Sequence, residues 1–459
     1  MKKFDAIIIG TGQAGKPLAM ALAGEGWKTA IVEERFVGGT CINYGCTPTK
    51  AMIGSAKTAY TAMNSGIFGI NTGKVSVDLK SVVARKNRIV SQFRNGSTDS
   101  LESSRNITLI KGTASFVDKE TVKVAEKGSE QLLQSKTIII NTGAKPFIPQ
   151  IEGKADSGYL TSETILDLKE IPKHLIILGG GYIALEFAQM FCRFGAKVTV
   201  VEKSEQFLPR EDEDIAAEVR NLLEGEGIKI LTGVNTKAIK RLSKNKLSLS
   251  LEQGGKARSL TGSHMLCAVG IKPTTDKLNL RFAGVKTDDK GYIKVNSKLE
   301  TSAKGIYAAG DVKGEPAFTH IAYDDYRILF NNLTTQKKLT TSGRMVPYVL
   351  FTDPELARVG LTEAEALKQG YKIRKAVIPM TYSARGVESG ETRGIMKAIT
   401  DAKTGKILGC SILGTYAGEI MSMVQIAMMA GMQSQKLKDA VFAHPTLAET
   451  LNTLFSKLE

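Results

Sequence analysis

The chain has 459 residues, of which 42% are hydrophobic, and this length suffices for about three domains with buried cores. Lysine and arginine (62) outnumber aspartate and glutamate (46), which gives a formal net charge of +16. The basic residues are dispersed among acidic ones without a basic run, so we expect a solvated surface and no nucleic-acid partner. The opening MKKFDAIIIG predicts a short strand rather than a signal peptide, and no apolar stretch is suited to spanning a membrane. We therefore expect a cytoplasmic protein without a membrane partner.

The first motif is a glycine-rich turn that follows the apolar run AIIIG. Gly10, Gly12 and Gly15 form the pattern G-x-G-x-x-G, and Glu33 closes the next predicted strand, TAIVEE. Glycines at such a turn let backbone N–H groups approach a pyrophosphate, and an acid about 20 residues later accepts a hydrogen bond from a ribose hydroxyl. The segment predicts a dinucleotide site, with a tight turn that binds nothing as the alternative.

Two cysteines follow this turn within GGTCINYGCTPTK. Cys41 and Cys46 predict redox chemistry, because a structural disulfide is unusual in a cytosolic protein. Thr47 and Pro48 are typical of an N-cap and the first residue of a helix, which would place Cys46 just before a helix N-terminus that favours a thiolate. Lys50 adds a positive charge nearby. The alternatives are a metal loop or two buried thiols, but a zinc site needs about four ligands and the sequence has no second Cys or His pair, so we expect no metal.

The glycine pattern recurs in LIILGGGYIALEFAQMF, which precedes the strand-like AKVTVVEKS. Gly179, Gly181 and Ala184 form G-x-G-x-x-A, and Glu202 stands at the end of the following strand. This segment predicts a second dinucleotide site. A carboxylate at position 202 can accept a hydrogen bond from a free 2′-hydroxyl but repels a 2′-phosphate, which favours NADH over NADPH, although Lys203 beside it acts against this preference.

Further motifs are NTGAKP at 141–146, CAVGIKP at 267–273, IYAAGDV at 306–312 and AHPTLAE at 443–449. With the two fingerprints and GGTCINYGC, they resemble the FAD-dependent pyridine nucleotide-disulfide oxidoreductases over essentially the whole chain. The resemblance implies an α/β fold with two Rossmann-like dinucleotide-binding domains, for FAD and NAD(P), and a C-terminal α+β dimerisation domain. The segments it implies are 1–148 (FAD domain, first part), 149–271 (NAD(P) domain), 272–345 (FAD domain, second part) and 346–459 (dimerisation domain).

The resemblance also implies which residues bind the two cofactors. Glu33 would hold the adenosine ribose of FAD, the backbone of Ala114 would meet the adenine, Asp311 would bind the ribityl chain or pyrophosphate, and Tyr182 would cover the nicotinamide pocket. The residues implied for FAD are Gly10, Gly12, Gly15, Glu33, Gly39, Thr40, Lys50, Ala114, Thr142, Gly143, Gly310 and Asp311. Those implied for NADH or NADPH are Gly179, Gly181, Tyr182, Ala184, Glu202 and Gly270.

The implied catalytic residues are Cys41, Cys46, Lys50, Glu186, His444 and Glu449. By resemblance, Cys46 faces the flavin, Cys41 exchanges with substrate, and Lys50 lies near the flavin and pairs with Glu186. His444 and Glu449 match an acid–base pair that acts on the cysteines of the other subunit of a homodimer. The spacing of Thr446 and Glu449 also fits a capping box for the last helix, so a structural role for this motif stays open.

The implied activity passes electrons from reduced nicotinamide through FAD and the Cys41–Cys46 disulfide to a small electrophilic or oxidant substrate. FLPREDEDIA (207–216) and DDYRI (324–328) resemble the mercuric-reductase-like branch that includes hypothiocyanous acid reductases. Mercuric reductases carry a C-terminal cysteine pair that we do not find after His444, so we expect another substrate. Dihydrolipoamide dehydrogenase is the alternative activity, and a role as a docked component of a multienzyme complex is a further one. One departure from the family is Ile271 and Lys272, where an arginine usually follows the glycine.

Overall fold

The computed structural model describes residues 1–126, 128–154 and 156–459. Helices are numbered along the chain as α1 (Gly15–Gly24), α2 (Gly39–Asn43), α3 (Cys46–Met63), α4 (Leu79–Glu102), α5 (Tyr182–Arg193), α6 (Glu213–Gly225), α7 (Thr319–Thr334), α8 (Glu363–Lys368), α9 (Ala384–Glu388), α10 (Ala417–Met429), α11 (Ser434–Lys438) and α12 (Thr450–Ser456).

Strands are numbered in the same way. They are β1 (Lys2–Lys3), β2 (Ala6–Ile9), β3 (Thr29–Glu33), β4 (Ile107–Lys111), β5 (Thr113–Phe116), β6 (Thr121–Glu126), β7 (Ser129–Gln134), β8 (Ile138–Ile140), β9 (Ala144–Pro146), β10 (Leu160–Thr161), β11 (His174–Leu178), β12 (Lys197–Val201), β13 (Lys229–Leu231), β14 (Val234–Ser243), β15 (Lys246–Gln253), β16 (Lys256–Gly262), β17 (His264–Cys267), β18 (Ile271–Pro273), β19 (Ile306–Ala308), β20 (Tyr348–Leu350), β21 (Glu355–Gly360), β22 (Ile373–Pro379), β23 (Ile395–Asp401) and β24 (Ile407–Gly414).

One compact unit comprises residues 1–51, 81–147 and 270–344. Its central sheet is parallel, in the order β19-β8-β2-β3-β4. The strand β2 is buried on both faces: Ile8 packs with the core residues of α1 and α7, whereas Ile7 and Ile9 pack with residues of the second sheet, β1-β7-β6-β5. Burial on both faces explains why this strand is a continuous apolar run rather than an alternating one.

The other unit comprises residues 52–80, 148–269 and 345–459. Its parallel sheet has the order β10-β17-β11-β12-β13, and α5 packs on β11 and β12. The antiparallel sheet β14-β15-β16 contributes Leu247, Leu249 and Leu251 to a common core with this parallel sheet. Each parallel sheet thus has a glycine turn and a helix directly after a central strand, which is the arrangement of a dinucleotide-binding fold.

The same unit contains the antiparallel sheet β20-β21-β24-β23-β22. Val424 of α10 and Leu454 of α12 share its hydrophobic core. Tyr348 and Arg358 stand directly opposite each other in the pairing of β20 with β21. The fold is therefore the predicted mixed α/β architecture with a C-terminal α+β part.

Two local expectations need correction. The helix that carries Cys46 begins at Cys46 rather than after Thr47, because the Gly45 carbonyl accepts a hydrogen bond from the Thr49 N–H (3.1 Å). Proline at position 48 is compatible with this start, since N–H groups of the first turn have no partner within the helix. Cys192, Cys267 and Cys410 each stand alone in an apolar stretch of the sequence, which predicts buried residues, but Cys192 is only half-buried.

Among the described residues, no helix combines the length and the apolar character that crossing a membrane requires.

Candidate active site

The first glycine loop joins β2 to α1, and its glycines are required by close packing. A Cβ atom on Gly10, whose φ is +105°, would lie 2.2 Å from the Asn141 carbonyl oxygen. A Cβ atom on Gly15 would lie 2.1 Å from the Gly10 carbonyl oxygen. Any side chain at either position would therefore push the loop away from β8 and the start of α1.

Asn141 fixes this loop and was missed in the sequence. Its side-chain oxygen accepts a hydrogen bond from the Gly15 N–H (2.9 Å), and its side-chain nitrogen donates to the Ala309 carbonyl (2.8 Å). The buried amide thus joins the helix start to the end of β19. The residue lies 126 positions from Gly15, so no local pattern links the two.

Glu33 lies at the end of β3, beside the loop. Its carboxylate accepts hydrogen bonds from the Thr11 N–H (3.1 Å), the Thr11 hydroxyl (2.6 Å) and the Arg35 N–H (2.8 Å). These contacts hold the acid at the carboxyl edge of the sheet, which is where the ribose of a dinucleotide binds in this fold.

The residues of this loop fit the dinucleotide part of FAD. The loop leads into the N-terminus of α1, where the helix dipole favours an anionic group such as a pyrophosphate. A Cβ on Gly39 would come within 2.8 Å of the Gly12 Cα, so the Gly39 turn that leads into Thr40 lies directly on the loop. Next to Gly143, the Thr142 hydroxyl is buried and has no hydrogen-bond partner among the described residues, as expected for a group that serves a ligand.

Asp311 lies in the short helical turn after β19. The turn is held by Asp325, which accepts a hydrogen bond from the Gly310 N–H (2.9 Å) and pairs with Lys313 (3.2 Å). Burial raises the pKa of Asp311, the charge of Asp325 adds to this effect, and Lys313 opposes it. Ala114, implied to meet the adenine, is buried in β5 of the same unit.

The two cysteines predicted to carry redox chemistry lie on consecutive helices, Cys41 in α2 and Cys46 at the start of α3. The Cys46 sulfur is 3.4 Å from the side-chain oxygen of Thr319, which is the first residue of α7. Two helix N-termini therefore adjoin this sulfur, and both favour negative charge on it. Thr319 was missed in the sequence, where a single threonine carries no signal of such a role.

The environment treats the two thiols differently. The Cys41 thiol donates a hydrogen bond to Cys46, and this contact is the largest cause that raises the pKa of Cys41. Burial and the negative charge of Cys46 raise it further, whereas Thr319 and the positive charge of Lys50 act in the opposite direction. Cys41 therefore stays protonated when Cys46 carries the charge.

The second glycine loop joins β11 to α5. A Cβ on Gly179 (φ +101°) would lie 2.4 Å from the Ala268 carbonyl oxygen, whereas one on Gly181 would meet nothing within 4 Å. Gly179 thus serves the packing of the turn, while Gly181 leaves open space at the start of α5, which also has no side-chain cap. Ala184 is fully buried within that helix. The loop fits the pyrophosphate of a nicotinamide dinucleotide.

Glu202 lies beside this loop at the end of the strand pair β11–β12. Its carboxylate accepts hydrogen bonds from the N–H groups of Gly180 (2.5 Å) and Ser204 (2.7 Å). Gly270, also implied for the nucleotide, has a φ of +133° and accepts a hydrogen bond from the Phe147 N–H (2.9 Å) in the first unit.

Tyr182 and Glu186 lie one turn apart on α5. The Tyr182 hydroxyl donates to Glu211 (2.5 Å), and its ring stacks on Tyr348 with 5.1 Å between centroids. Glu186 is buried and accepts a hydrogen bond from the Phe351 N–H (3.0 Å). The implied pairing of Glu186 with Lys50 remains a prediction.

His444 and Glu449 meet in the segment before α12. The Nδ1 atom of His444 is 3.1 and 3.0 Å from the two carboxylate oxygens of Glu449. The imidazole is 70% exposed and borders a cavity of about 300 Å³ that Tyr382, Ala384 and Asn452 also line. Because the carboxylate occupies Nδ1, the opposite nitrogen, Nε2, can exchange a proton with another group.

The capping contacts predicted for this motif are also present. The Glu449 N–H donates to the Thr446 hydroxyl (3.3 Å), and the Thr446 N–H donates to the Glu449 carboxylate (3.4 Å). Glu449 thus serves the helix start and the imidazole at once, so the structural and the catalytic interpretation do not exclude each other.

The described residues contain no cluster of three or more His, Cys, Asp or Glu side chains suited to a metal ion.

Known proteins resemble the chain over its whole length. Residues 4–325 match the family "Pyridine nucleotide-disulphide oxidoreductase", and residues 346–455 match its dimerisation domain. The chain is 38% identical to the probable pyridine nucleotide-disulfide oxidoreductase RclA of Escherichia coli (strain K12), and the alignment covers 99% of both. It is 36% identical to a mercuric reductase of Staphylococcus aureus, over 98% of this chain and 81% of that protein.

It is also 36% identical to a dihydrolipoyl dehydrogenase of Thermus scotoductus, over 98% of this chain and 96% of that protein. A solved structure described as the Cu(II) complex of the HOCl-induced flavoprotein disulfide reductase RclA from Escherichia coli superposes with a TM-score of 0.92. That match has 37% identity and covers 99% of both chains. The chain therefore belongs to the FAD-dependent pyridine nucleotide-disulfide oxidoreductase family, as its motifs predicted.

Proposed function

We propose that this enzyme passes electrons from NADH through FAD and the Cys41–Cys46 pair to a small thiol-reactive oxidant, with hypothiocyanous acid as the favoured substrate. The observation that carries the proposal is the unequal pair of thiols. Cys46 is the first residue of a helix and contacts Thr319, whereas Cys41, which hydrogen-bonds Cys46, has a raised pKa. One sulfur is suited to remain a thiolate and the other to react with an external electrophile.

When bound, FAD supplies the conversion of a hydride from reduced nicotinamide into two electrons for the disulfide. The first glycine loop, Glu33, Thr142 and Asp311 would hold it, and Lys50 would lie near its reactive ring. The loop before α5, Tyr182 and Glu202 would hold the nicotinamide nucleotide. An acid rather than a base at position 202 supports NADH over NADPH.

The raised pKa of Cys41 creates a need for a base, because a protonated thiol is a weak nucleophile. The His444–Glu449 pair has the geometry to take that proton through Nε2. We propose that it acts on the cysteines of a second copy of the chain. The dimerisation-domain match of residues 346–455 supports a homodimer, as do the exposed apolar residues Met423, Ile426 and Met429 on α10.

The proposed reaction balances with hypothiocyanous acid. Cys41 loses its proton to His444 and attacks the sulfur of the oxidant, and the leaving hydroxide takes that proton back as water. The Cys46 thiolate then attacks the Cys41 sulfur, which forms the disulfide and releases thiocyanate. Two electrons leave the dithiol, and the oxidant accepts both.

Similarity to a known protein supports a small thiol-reactive oxidant as the substrate class. The relative RclA is described as HOCl-induced, which fits a role against reactive chlorine or related oxidants. A small electrophile needs only access to Cys41 and a proton donor. Dihydrolipoamide oxidation is the second candidate, because a dihydrolipoyl dehydrogenase is 36% identical over nearly the whole chain.

Exchanging each cysteine tests the electron path. In Cys41→Ser, we expect a long-wavelength charge-transfer absorbance without any reductant, since Cys46 remains as a thiolate beside the flavin. In Cys46→Ser, this absorbance should be absent from the two-electron-reduced protein. The reverse result would overturn the assigned roles of the two sulfurs.

A further inference from the structure

A buried ion cluster lies on α7, in contact with the turn Gly310–Lys313 that follows β19. Its centre is Asp325, whose side chain is 0% exposed. One carboxylate oxygen of Asp325 is 3.2 Å from the Lys313 ammonium, and the other is 2.8 Å from the Arg344 guanidinium. Both cationic side chains are largely buried, at 5% and 15% exposed. We call Lys313, Asp325 and Arg344 the Asp325 cluster.

The cluster fixes one peptide group of that turn. The Gly310 N–H donates a hydrogen bond to Asp325 (2.9 Å), and the Ala309 carbonyl, which belongs to the same peptide group, accepts one from Asn141 (2.8 Å). Gly310 itself has a φ of +71°, and a Cβ atom there would lie 2.8 Å from the Asn141 side-chain nitrogen. Because the planar peptide group before Gly310 is held at both ends, the direction in which the chain continues to Asp311 is set.

The charge of Asp325 strengthens its contact with the turn. A hydrogen bond to a charged acceptor is stronger than one between neutral groups. A carboxylate buried this deeply is tolerated only when cations and donors satisfy it, as Lys313, Arg344 and the Gly310 N–H do here. Loss of the carboxylate would remove the acceptor of the Gly310 N–H and a buried partner of two cations at once.

The helix α7 has apolar anchors of its own. Ala322, Ile328 and Leu329 lie in the same hydrophobic core as Leu18 of α1. These side chains hold α7 against the core whatever the charge of the cluster. We therefore expect loss of that charge to act first on the turn, which the cluster contacts directly, and less on the position of the helix.

We propose that the Asp325 cluster holds Asp311 in the position that binds FAD. Asp325 is a positioning residue that acts through the turn, and Lys313 and Arg344 act through Asp325. The proposal rests on the proposed function, because it takes Asp311 as part of the FAD site. Its consequence is that disturbing the cluster weakens FAD binding beyond any effect on the fold, since part of the binding free energy is then used to order the turn.

The test is the dissociation constant of FAD, measured from the fluorescence of free flavin that appears when the FAD-loaded protein is diluted. Asparagine has one side-chain oxygen instead of two, so Asp325→Asn cannot accept hydrogen bonds from both Gly310 and Arg344. We expect the dissociation constant to rise about 10- to 100-fold. Arg344→Gln should raise it by a smaller factor, because Lys313 still pairs with Asp325, and Arg344→Lys should retain most of the affinity.

Asp324→Asn is the matched control. Asp324 precedes Asp325 in the chain and pairs with the same Arg344 (3.3 Å), but its side chain is 34% exposed. Because an exposed ion pair contributes little, we expect its loss to change the dissociation constant of FAD by less than about threefold.

Urea unfolding of each variant with and without FAD separates positioning from damage to the fold. A positioning role lowers the stability of the FAD-loaded protein more than that of the FAD-free protein, because the difference equals the lost binding free energy. If Asp325→Asn and Arg344→Gln destabilise both forms equally, the cluster is only structural and the inference is wrong. Should Asp325→Asn not fold, Arg344→Gln alone decides between these outcomes.

Asp311→Ala separates the inference from the proposed function, since it should weaken FAD binding if Asp311 belongs to the FAD site. If Asp311→Ala weakens binding while Asp325→Asn and Arg344→Gln do not, the inference is wrong and the proposed FAD site stands. If Asp311→Ala leaves the affinity for FAD unchanged, both are overturned.

Discussion

The side-chain oxygen of Thr319 lies 3.4 Å from the sulfur of Cys46, although the two residues are 273 positions apart in the chain. Thr319 begins α7 and Cys46 begins α3, so the contact joins two helix N-termini at one sulfur. The same hydroxyl also lowers the pKa of Cys41 against the larger effects that raise it. Thr319 therefore acts on both cysteines of the proposed redox pair.

Replacing Thr319 by valine removes this donor while keeping the shape of the side chain. We expect iodoacetamide to alkylate the reduced pair about 2- to 10-fold more slowly at neutral pH, as for the loss of one hydrogen bond. Thr319→Ser, which restores a hydroxyl, should recover most of the rate. Equal alkylation rates for the valine variant and the wild type would show that the hydroxyl has no role in activating the thiols.

His444→Gln should affect only the half-reaction with the oxidant. Loss of the base should slow oxidation of the reduced enzyme by about 10²–10⁴-fold and leave reduction by NADH nearly unchanged. Because the pKa of Cys41 is raised above the usual thiol value near 8.5, only a small fraction of Cys41 is thiolate at neutral pH, and this fraction increases as the pH rises. The variant's oxidation rate should therefore climb with pH in the alkaline range. Stopped-flow measurement of the two half-reactions tests this prediction. If the variant's reduced enzyme reacted with the oxidant at the wild-type rate, His444 and Glu449 would have only their helix-capping role.

Because residue 202 is a glutamate, we expect a higher specificity constant for NADH than for NADPH. Its carboxylate is held by the Gly180 and Ser204 N–H groups, and a 2′-phosphate placed beside it would be repelled. Glu202→Gln should reduce the preference for NADH over NADPH. Lys203→Gln should increase this preference, because the substitution removes a positive charge that would attract a 2′-phosphate. Rates of flavin reduction with each nucleotide give both comparisons. A preference of the wild type for NADPH would contradict this assignment.

Asp353 should contribute to stability through a buried ion pair. It lies 2.6 Å from Arg193 and 2.9 Å from Lys57. Burial alone would raise the pKa of Asp353, but Arg193 and Lys57 outweigh burial and hold the pKa below its ordinary value. Asp353→Asn leaves Arg193 with an incomplete set of partners and should lower the free energy of unfolding by roughly 3 kcal/mol.

The pH dependence of this effect has a definite sign. A carboxyl group with a lowered pKa stabilises the fold above its unfolded value of about 4, and this contribution is lost as the pH falls through the folded value. The gap between wild type and Asp353→Asn in urea unfolding should therefore close on acidification below about pH 4. Asp276→Asn, which removes an exposed partner of Lys145, is the control and should change stability by less than about 1 kcal/mol. A gap that persists unchanged in acid would contradict the role of the charge.

Local patterns were enough to predict both glycine turns between a strand and a helix, and their role in nucleotide binding stays a prediction. Gly10 and Gly179 each end a buried strand, and their positions require the absence of a side chain. The resemblance to a known family implied the fold, the C-terminal domain and an acid–base role for His444 and Glu449. The structure shows the contact between these two residues, and their role stays a prediction. The sequence predicts that α3 begins at Pro48, the usual position of a helix-starting proline, whereas α3 begins two residues earlier and Pro48 lies within its first turn.

Contacts between distant segments could not be predicted in this way. Asn141 braces a loop 126 positions away, Thr319 reaches Cys46 from another helix, and Glu211 meets Tyr348 across 137 positions. Each depends on which strands and helices adjoin in the folded chain. Asparagine, threonine and glutamate are also common enough that none marks a site by its identity.

The central claim is that the dithiol reduces a small oxidant, and its most direct test is a comparison of specificity constants on one preparation of the FAD-loaded enzyme. With NADH as reductant, we expect a higher specificity constant for hypothiocyanous acid than for lipoamide or glutathione disulfide, and no turnover after Cys41→Ser. Efficient oxidation of dihydrolipoamide by NAD⁺, with slow reduction of hypothiocyanous acid, would contradict the claim and identify the enzyme as a dihydrolipoamide dehydrogenase.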